Sequence, residues 1–233
     1  VNKFMNKTLS TTNVNYVVAS DTDSIYLRLS QLVEKVCKDK TDKQIVGFLN
    51  KVSEQKIQKV IDNSFENLAK YVNAYDQKMI MKREAIANKG IWIAKKRYMM
   101  NVFDEEGVVY DTPKLKIMGV EAVKSSTPEV CRSKIKQAIR LIMNDNEDTV
   151  VKFVNSFKDV FNTLSPEEIA FPRSCNNLSK YTNSSSMYNK GTPIHVKGAL
   201  IYNHFIHKNK LERKYPLIKE GDKIKFLMLK QPN

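Results

Sequence analysis

The chain has 233 residues, 42% of them hydrophobic, with 39 Lys and Arg against 25 Asp and Glu and a formal net charge of +14. That length allows one large domain or two small ones with a sizeable core, and the charge favours an anionic partner, nucleic acid before a membrane surface. No apolar run approaches the roughly 18 residues of a membrane span, no signal peptide is visible, and the scattered Cys37, Cys131 and Cys175 argue against a disulfide framework or zinc cluster and suit a reducing cytosol.

In chain order, residues 1–10 read as the end of a helix. The opening Val1, already inside it, reads as the mark of a truncated or processed chain. "NYVVAS" predicts a short strand buried on both faces, "DTDS" a turn and "SIYLRL" the returning strand of a hairpin. Residues 42–75 predict one long amphipathic helix with Ile45, Leu49, Val52, Val60, Phe65, Leu68 and Val72 along its apolar side. The stretch 77–99 then concentrates positive charge, with seven Lys and Arg against Glu84 alone.

"IWIAKKRYMMNVF", "DEEG" and "VVYD" predict strand, turn and strand, and "PKLKIMG" a further short strand. A helix is expected from "SSTPEV", with Thr127 as N-cap and Pro128 in the first helical position. A second helix over 147–162 carries a stripe of Val150, Phe153, Val154, Phe157, Val160 and Phe161, expected to be core. Residues 172–193 read as loop with one short helix, 194–206 as helical or mixed, and "DKIKFLML" as a strand. A boundary near 120 divides a β-rich first part from a mostly helical second part.

Asp21 and Asp23 stand one residue apart at a break between two apolar runs. Neighbouring carboxylates repel unless a cation neutralises them. In extended chain an i, i+2 pair projects to one side, where hard oxygen ligands suit Mg2+ with water or phosphate completing the shell. The simpler explanation is a turn rich in Asp, Thr and Ser because those residues satisfy turn backbone. An EF-hand loop is excluded, since Ile25 and Tyr26 stand where a ligand and the glycine belong and Leu32 where the glutamate does.

The segment "ASDTDSIYL" resembles the palm hairpin of family B DNA polymerases. It is followed in order by "KREAIA", "KKRY", "PKLKIMG", "KSSTP" and "IHVKGALIYN", as in the replicative polymerases of T-even-type tailed phages. The resemblance covers nearly the whole chain, most densely 17–27 and 82–128. It implies that Asp23 is a direct ligand of two catalytic Mg2+ ions and Asp21 a supporting one, with Glu84 a possible further acid. Ala19-Ser20 departs from the family Tyr-Gly, and Lys82 stands where the family has an acid.

Read by strand period, Lys95 and Arg97 face one side and Lys96 and Tyr98 the other. A solvated strand edge protected by lysines would look the same. The resemblance implies instead that Lys96 and Tyr98 touch the minor groove of primer–template DNA, with Lys95 and Arg97 beside them. It also makes Lys124, Ser125 and Ser126 a DNA-contacting joint between palm and thumb. Arg132, Lys134, Lys136 and Arg140 either follow duplex phosphates or form a solvated face.

Further along, His204 and His207 lack an evident third metal ligand, and Gly191-Thr192-Pro193 is a turn. The cysteines have no adjacent base, and Ser184, Ser185 and Ser186 have no His-Asp arrangement, so a hydrolase lacks support. A standalone nuclease would need a third acid beside the hairpin. The resemblance therefore implies an α+β chain: residues 1–120 as the second part of a palm, a partial antiparallel sheet backed by the long helix, and residues 121–233 as an incomplete, mainly helical thumb. It implies DNA-directed DNA polymerase activity on deoxynucleoside triphosphates in the cytoplasm of an infected bacterial host, with no membrane. It also implies that the remaining N-terminal polymerase part is required and that the clamp-binding tail is absent. The alternative is a non-catalytic duplex-binding subunit, to which Ala19-Ser20 lends support.

Overall fold

The computed structural model describes residues 1–183 and 185–228. Ser184 of the serine run and Leu229, the last residue of the expected terminal strand, lie outside the described residues. The fold is α+β and divides into two compact units, Val1–Val120 and Glu121–Asn233.

The first unit opens with α1 (Asn2–Leu9), which closes on Ser10 in the left-handed conformation. Asn2 and Asn6 sit one turn apart and do the work of a missing strand. The Asn6 amide donates to the Val14 carbonyl at 2.7 Å and accepts from the Val14 N–H at 3.0 Å. Asn2 Oδ1 accepts from the Tyr16 and Val17 N–H groups, both at 3.0 Å. These bonds satisfy the N–H groups of Val14, Tyr16 and Val17 where β1 (Val17–Asp21) begins. Tyr16 is completely buried, its hydroxyl bonded to Thr11 at 2.9 Å and Gln31 at 2.8 Å.

β1 pairs antiparallel with β2 (Ser24–Leu27), Asp21 opposite Ser24. Among the described residues this hairpin is a two-stranded sheet of its own. β1 is therefore not buried on both faces as its apolar run implied: burial alternates and Val18 is exposed.

A short helix that the sequence reading missed, α2 (Ser30–Val36), follows and buries Leu32. The long helix is present but interrupted. α3 (Asp42–Val52) starts at a reciprocal cap in which the Thr41 hydroxyl accepts from the Gln44 N–H and the Gln44 side chain accepts from the Thr41 N–H. A single π turn, Ser53–Ile57, then leads into α4 (Gln58–Tyr71). Val46 and Leu49 of α3 join Met5, Leu9, Tyr16, Leu32, Ile86 and Phe103 in the main core. α4 buries no residue, and Leu68, Tyr71 and Val72 stand exposed. Only the first half of the helix backs the strands.

The remaining sheet has the order β3-β4-β5, made of β3 (Ala85–Ala94), β4 (Arg97–Glu105) and β5 (Val108–Met118). Its centre, Met99 to Asp104, is buried throughout. Two sequence expectations change here. The run from Ile91 to Phe103 is not one strand, because the chain reverses at Lys95-Lys96. The segments "VVYD" and "PKLKIM" merge into β5, and the register breaks between Val102↔Lys114 and Asp104↔Val109. Pro113 falls inside that break, where its missing N–H costs no ladder bond.

The second unit begins with a short 3-10 turn, Glu121–Val123, and α5 (Glu129–Asn144). Pro128, not Thr127, occupies the N-cap position, and no side chain caps this helix. α6 (Glu147–Phe161) is capped by Asn146, which accepts from the Thr149 N–H at 3.0 Å. No residue of α6 is buried, and Val154 and Val160 are about half exposed, so the expected core stripe is a partly open face.

After α7 (Pro166–Ile169), β6 (Phe171–Ser174) pairs with β9 (Lys223–Phe226), bringing the end of the described chain back to its middle. Between them lie α8 (Leu178–Tyr181), the short pair β7 (Thr182–Asn183) and β8 (Met187–Tyr188), and α9 (Ile194–Lys208), helical throughout. Cys175, Leu178, Val196 and Ala199 form one core cluster of this unit. Cys37 and Cys175 are buried free thiols, as packing residues should be. Burial raises the Cys131 and Cys175 thiols above their ordinary value, a direction that disfavours the thiolate.

Candidate functional site

Two hairpin tips carry the charged residues singled out above. The first is Thr22-Asp23, joining β1 to β2. Neither residue takes a positive φ, so this is not the mirror-type turn usual in two-residue hairpins. Asp21 is the last strand residue and Asp23 lies in the turn, exposed. The one-face rule for extended chain therefore does not govern the pair.

Asp21 Oδ1 accepts from the Thr22 N–H at 2.9 Å and from its hydroxyl at 3.4 Å. The carboxyl is held below its ordinary range, first by that backbone bond and, against some desolvation, by the ammonium groups of Lys96 and Lys95. The second Asp21 oxygen, Oδ2, lies 3.8 Å from Lys96 Nζ.

The second tip is Lys95-Lys96, joining β3 to β4 with Ala94 opposite Arg97. KKRY thus does not divide by strand period: two residues form the turn and two start the next strand. Lys96 is left-handed, φ 59°, a conformation that a lysine rarely adopts. Gly119, at φ 66° just after β5, makes room, because a Cβ there would collide with the Lys96 carbonyl oxygen. That glycine is far off in sequence, so no local signal marks the turn.

Tyr98 pairs across the sheet with Trp92 and Met118. Its ring lies 5.3 Å from Tyr26 and 6.1 Å from Trp92, and Tyr26 and Trp92 are 5.1 Å apart. Burial, followed by a hydrogen bond with Tyr26, pushes the Tyr98 phenol up to about 12. It remains protonated at any working pH. Tyr26 and Trp92 were not singled out from the sequence. Their only signal is being aromatic residues near the two charged motifs.

Glu84 is engaged elsewhere. Lys116 Nζ lies 2.6 Å from Glu84 and 2.9 Å from Glu105, and Lys114 is 3.7 Å from Glu105. Burial works against the Lys116 charge, but the bonds to Glu84 and Glu105 outweigh it and hold its pKa above the ordinary value. The neighbouring Arg83 pairs with buried Asp104, which also accepts from the Gly107 N–H at 3.0 Å. Part of the positive concentration at 77–99 is therefore structural. Among the described residues no group of three or more His, Cys, Asp or Glu gathers that could hold a metal. Asp21 and Asp23 supply two hard carboxylates, a donor type suited to Mg2+, with the rest of a shell left to other ligands.

In the second unit, Lys124 and Ser125 are exposed and Ser126 half-buried in the loop before α5, and Lys124 pairs with Glu121 at 3.0 Å. Arg132 pairs with Glu129. Lys134 Nζ lies over the rings of Phe153 and Phe157, 5.7 and 6.0 Å from their centres. Lys136 and Arg140 are exposed. His207 Nδ1 is 2.8 Å from Glu212, an ordinary surface pair. No helix among the described residues is long and apolar enough to cross a membrane.

No family model matches the chain. It is 35% identical over 243 aligned positions to the DNA-directed DNA polymerase of Escherichia phage RB69 and 32% identical over 243 to that of Enterobacteria phage T4. Both alignments cover all of this chain and 26% of the relative. The chain thus spans about a quarter of the length of the curated relatives it matches.

Proposed function

We propose that this chain, related over its whole length to part of the T-even-type phage DNA polymerases, serves template-directed DNA synthesis, with Val1–Val120 as palm and Glu121–Asn233 as thumb. The observation that supports this reading is the approach of the acid turn and the KKRY turn. Lys96 lies 3.8 Å from Asp21, although they are 75 positions apart in the chain.

In the proposed reaction the primer 3′-hydroxyl attacks the α-phosphate of an incoming deoxynucleoside triphosphate and pyrophosphate leaves. Asp23 and Asp21 would hold Mg2+, which when bound supplies charge neutralisation for the attacking and leaving oxygens. Further acids come from the rest of the polymerase. The lowered Asp21 carboxyl keeps its negative charge for this role. Lys96 meets acceptors of the duplex minor groove and Tyr98 gives it a flat, always protonated phenol, contacts that accept any base pair. Lys124, Ser125 and Ser126 meet the duplex backbone before α5. The setting is the cytoplasm of an infected bacterium.

The test is a hybrid in which this chain replaces the matching quarter of the RB69 phage polymerase. Primer extension that survives Asp23→Ala refutes the catalytic assignment. The alternative is a non-catalytic duplex-binding subunit, which Ala19-Ser20 in place of the family Tyr-Gly supports. Strong duplex binding with no extension by the wild-type hybrid selects that alternative.

A further inference from the structure

The two hairpins belong to separate sheets among the described residues. Side chains therefore hold the acid turn against the basic turn. One such link is the Asp21–Lys96 ion pair, but its lysine side chain is 68% exposed, and exposed pairs restrain little. Another is the three-ring cluster. Tyr26, three residues beyond Asp23, meets Trp92 at 5.1 Å edge-on and Tyr98 at 5.3 Å, while Trp92 stacks on Tyr98 at 26° and 6.1 Å.

The indole is closely seated. It lies over Gly90, where a Cβ would come within 2.7 Å of its ring carbons. Its buried Nε1 has no hydrogen-bond partner among the described residues, and its place there is set by ring packing. Three aromatic rings in mutual contact are stiff, with two side-chain torsions each. A stiff link between a metal-carrying turn and a duplex-carrying turn sets the separation of the two loads.

We propose that Tyr26 and Trp92 are positioning residues: through Tyr98 they fix the Lys96 turn relative to Asp21 and Asp23, so that a duplex held by KKRY presents its primer end to the acids. The proposal rests on the polymerase reading for its consequence. Its geometry is testable separately.

In the hybrid polymerase, Tyr26→Ala lowers kcat by about tenfold or more, in line with the sensitivity of reaction to small misplacements, while KM for the nucleotide changes little. Tyr26→Phe keeps the ring and retains most of the rate. Equal kcat for Tyr26→Ala and wild type overturns the proposal, as does a loss matched by a parallel fall in folded fraction. In this chain alone, Trp92→Leu shifts the amide NMR signals of Thr22 and Asp23 on the other hairpin, and unmoved signals overturn it too. A wild-type hybrid that makes no product defeats the polymerase reading, and the NMR comparison then decides the coupling by itself.

Discussion

The two hairpin tips are both two-residue turns, yet they are built in opposite ways. Thr22-Asp23 stays at negative φ and is shaped locally, by the bond from the Thr22 N–H to Asp21. Lys95-Lys96 places a lysine in left-handed backbone and depends on Gly119, just beyond the end of β5. The acid turn is written in its own four residues, whereas the basic turn is imposed by the sheet around it. A turn of the first kind tolerates change at a distance; one of the second kind does not.

That contrast orders the expected effects. The largest is functional: Asp23→Ala in the hybrid polymerase lowers primer extension by at least about 100-fold, the scale of losing a group that serves the transition state, with the folded state unchanged by circular dichroism. Next, Gly119→Ala costs about 2 kcal/mol, from a non-glycine residue held at positive φ and from collision with the Lys96 carbonyl. A urea-unfolding midpoint equal to wild type would show that the basic turn is as self-sufficient as the acid one. A smaller effect is expected for Lys96→Ala, which weakens duplex binding alike across sequences and lowers the salt slope by about 1 if its partner is a phosphate. An unchanged slope places its contact on a base edge instead.

The smallest concerns the cluster that took Glu84. Lys116→Met costs about 1 kcal/mol near neutral pH, since the pairs with Glu84 and Glu105 are partly exposed. The Glu105 carboxyl is depressed below 4.5, first by the hydrogen bond from Lys116. Its contribution is therefore complete above that value and lost below it, as pH falls through the lowered pKa of the folded state. The gap between variant and wild type should close over the same range in acid denaturation followed by fluorescence.

These cases show what a one-dimensional reading captures. The acid hairpin was legible because Asp-Thr-Asp-Ser interrupts two apolar runs, and α3 because Asp42 onward is periodic. The reversal at Lys95-Lys96 was not legible, since it holds no Gly, Asn or Pro and the glycine that permits it is Gly119. Periodicity also misjudged burial: the stripe of α6 and the apolar positions of α4 have the right spacing, yet neither helix buries a residue. Spacing shows that a face exists and says nothing of what covers it. The Asp21–Lys96 approach and the Tyr26–Trp92–Tyr98 rings join residues about 70 positions apart, beyond any local pattern.

The asparagine pair of α1 carries a consequence for dynamics. The Tyr16 and Val17 amides are held by Asn2, the first residue of that helix. Their hydrogens should exchange with solvent deuterium only when the opening turn frays, so the lifetime of the strand that ends in Asp21 is metered by a helix end rather than by its own ladder.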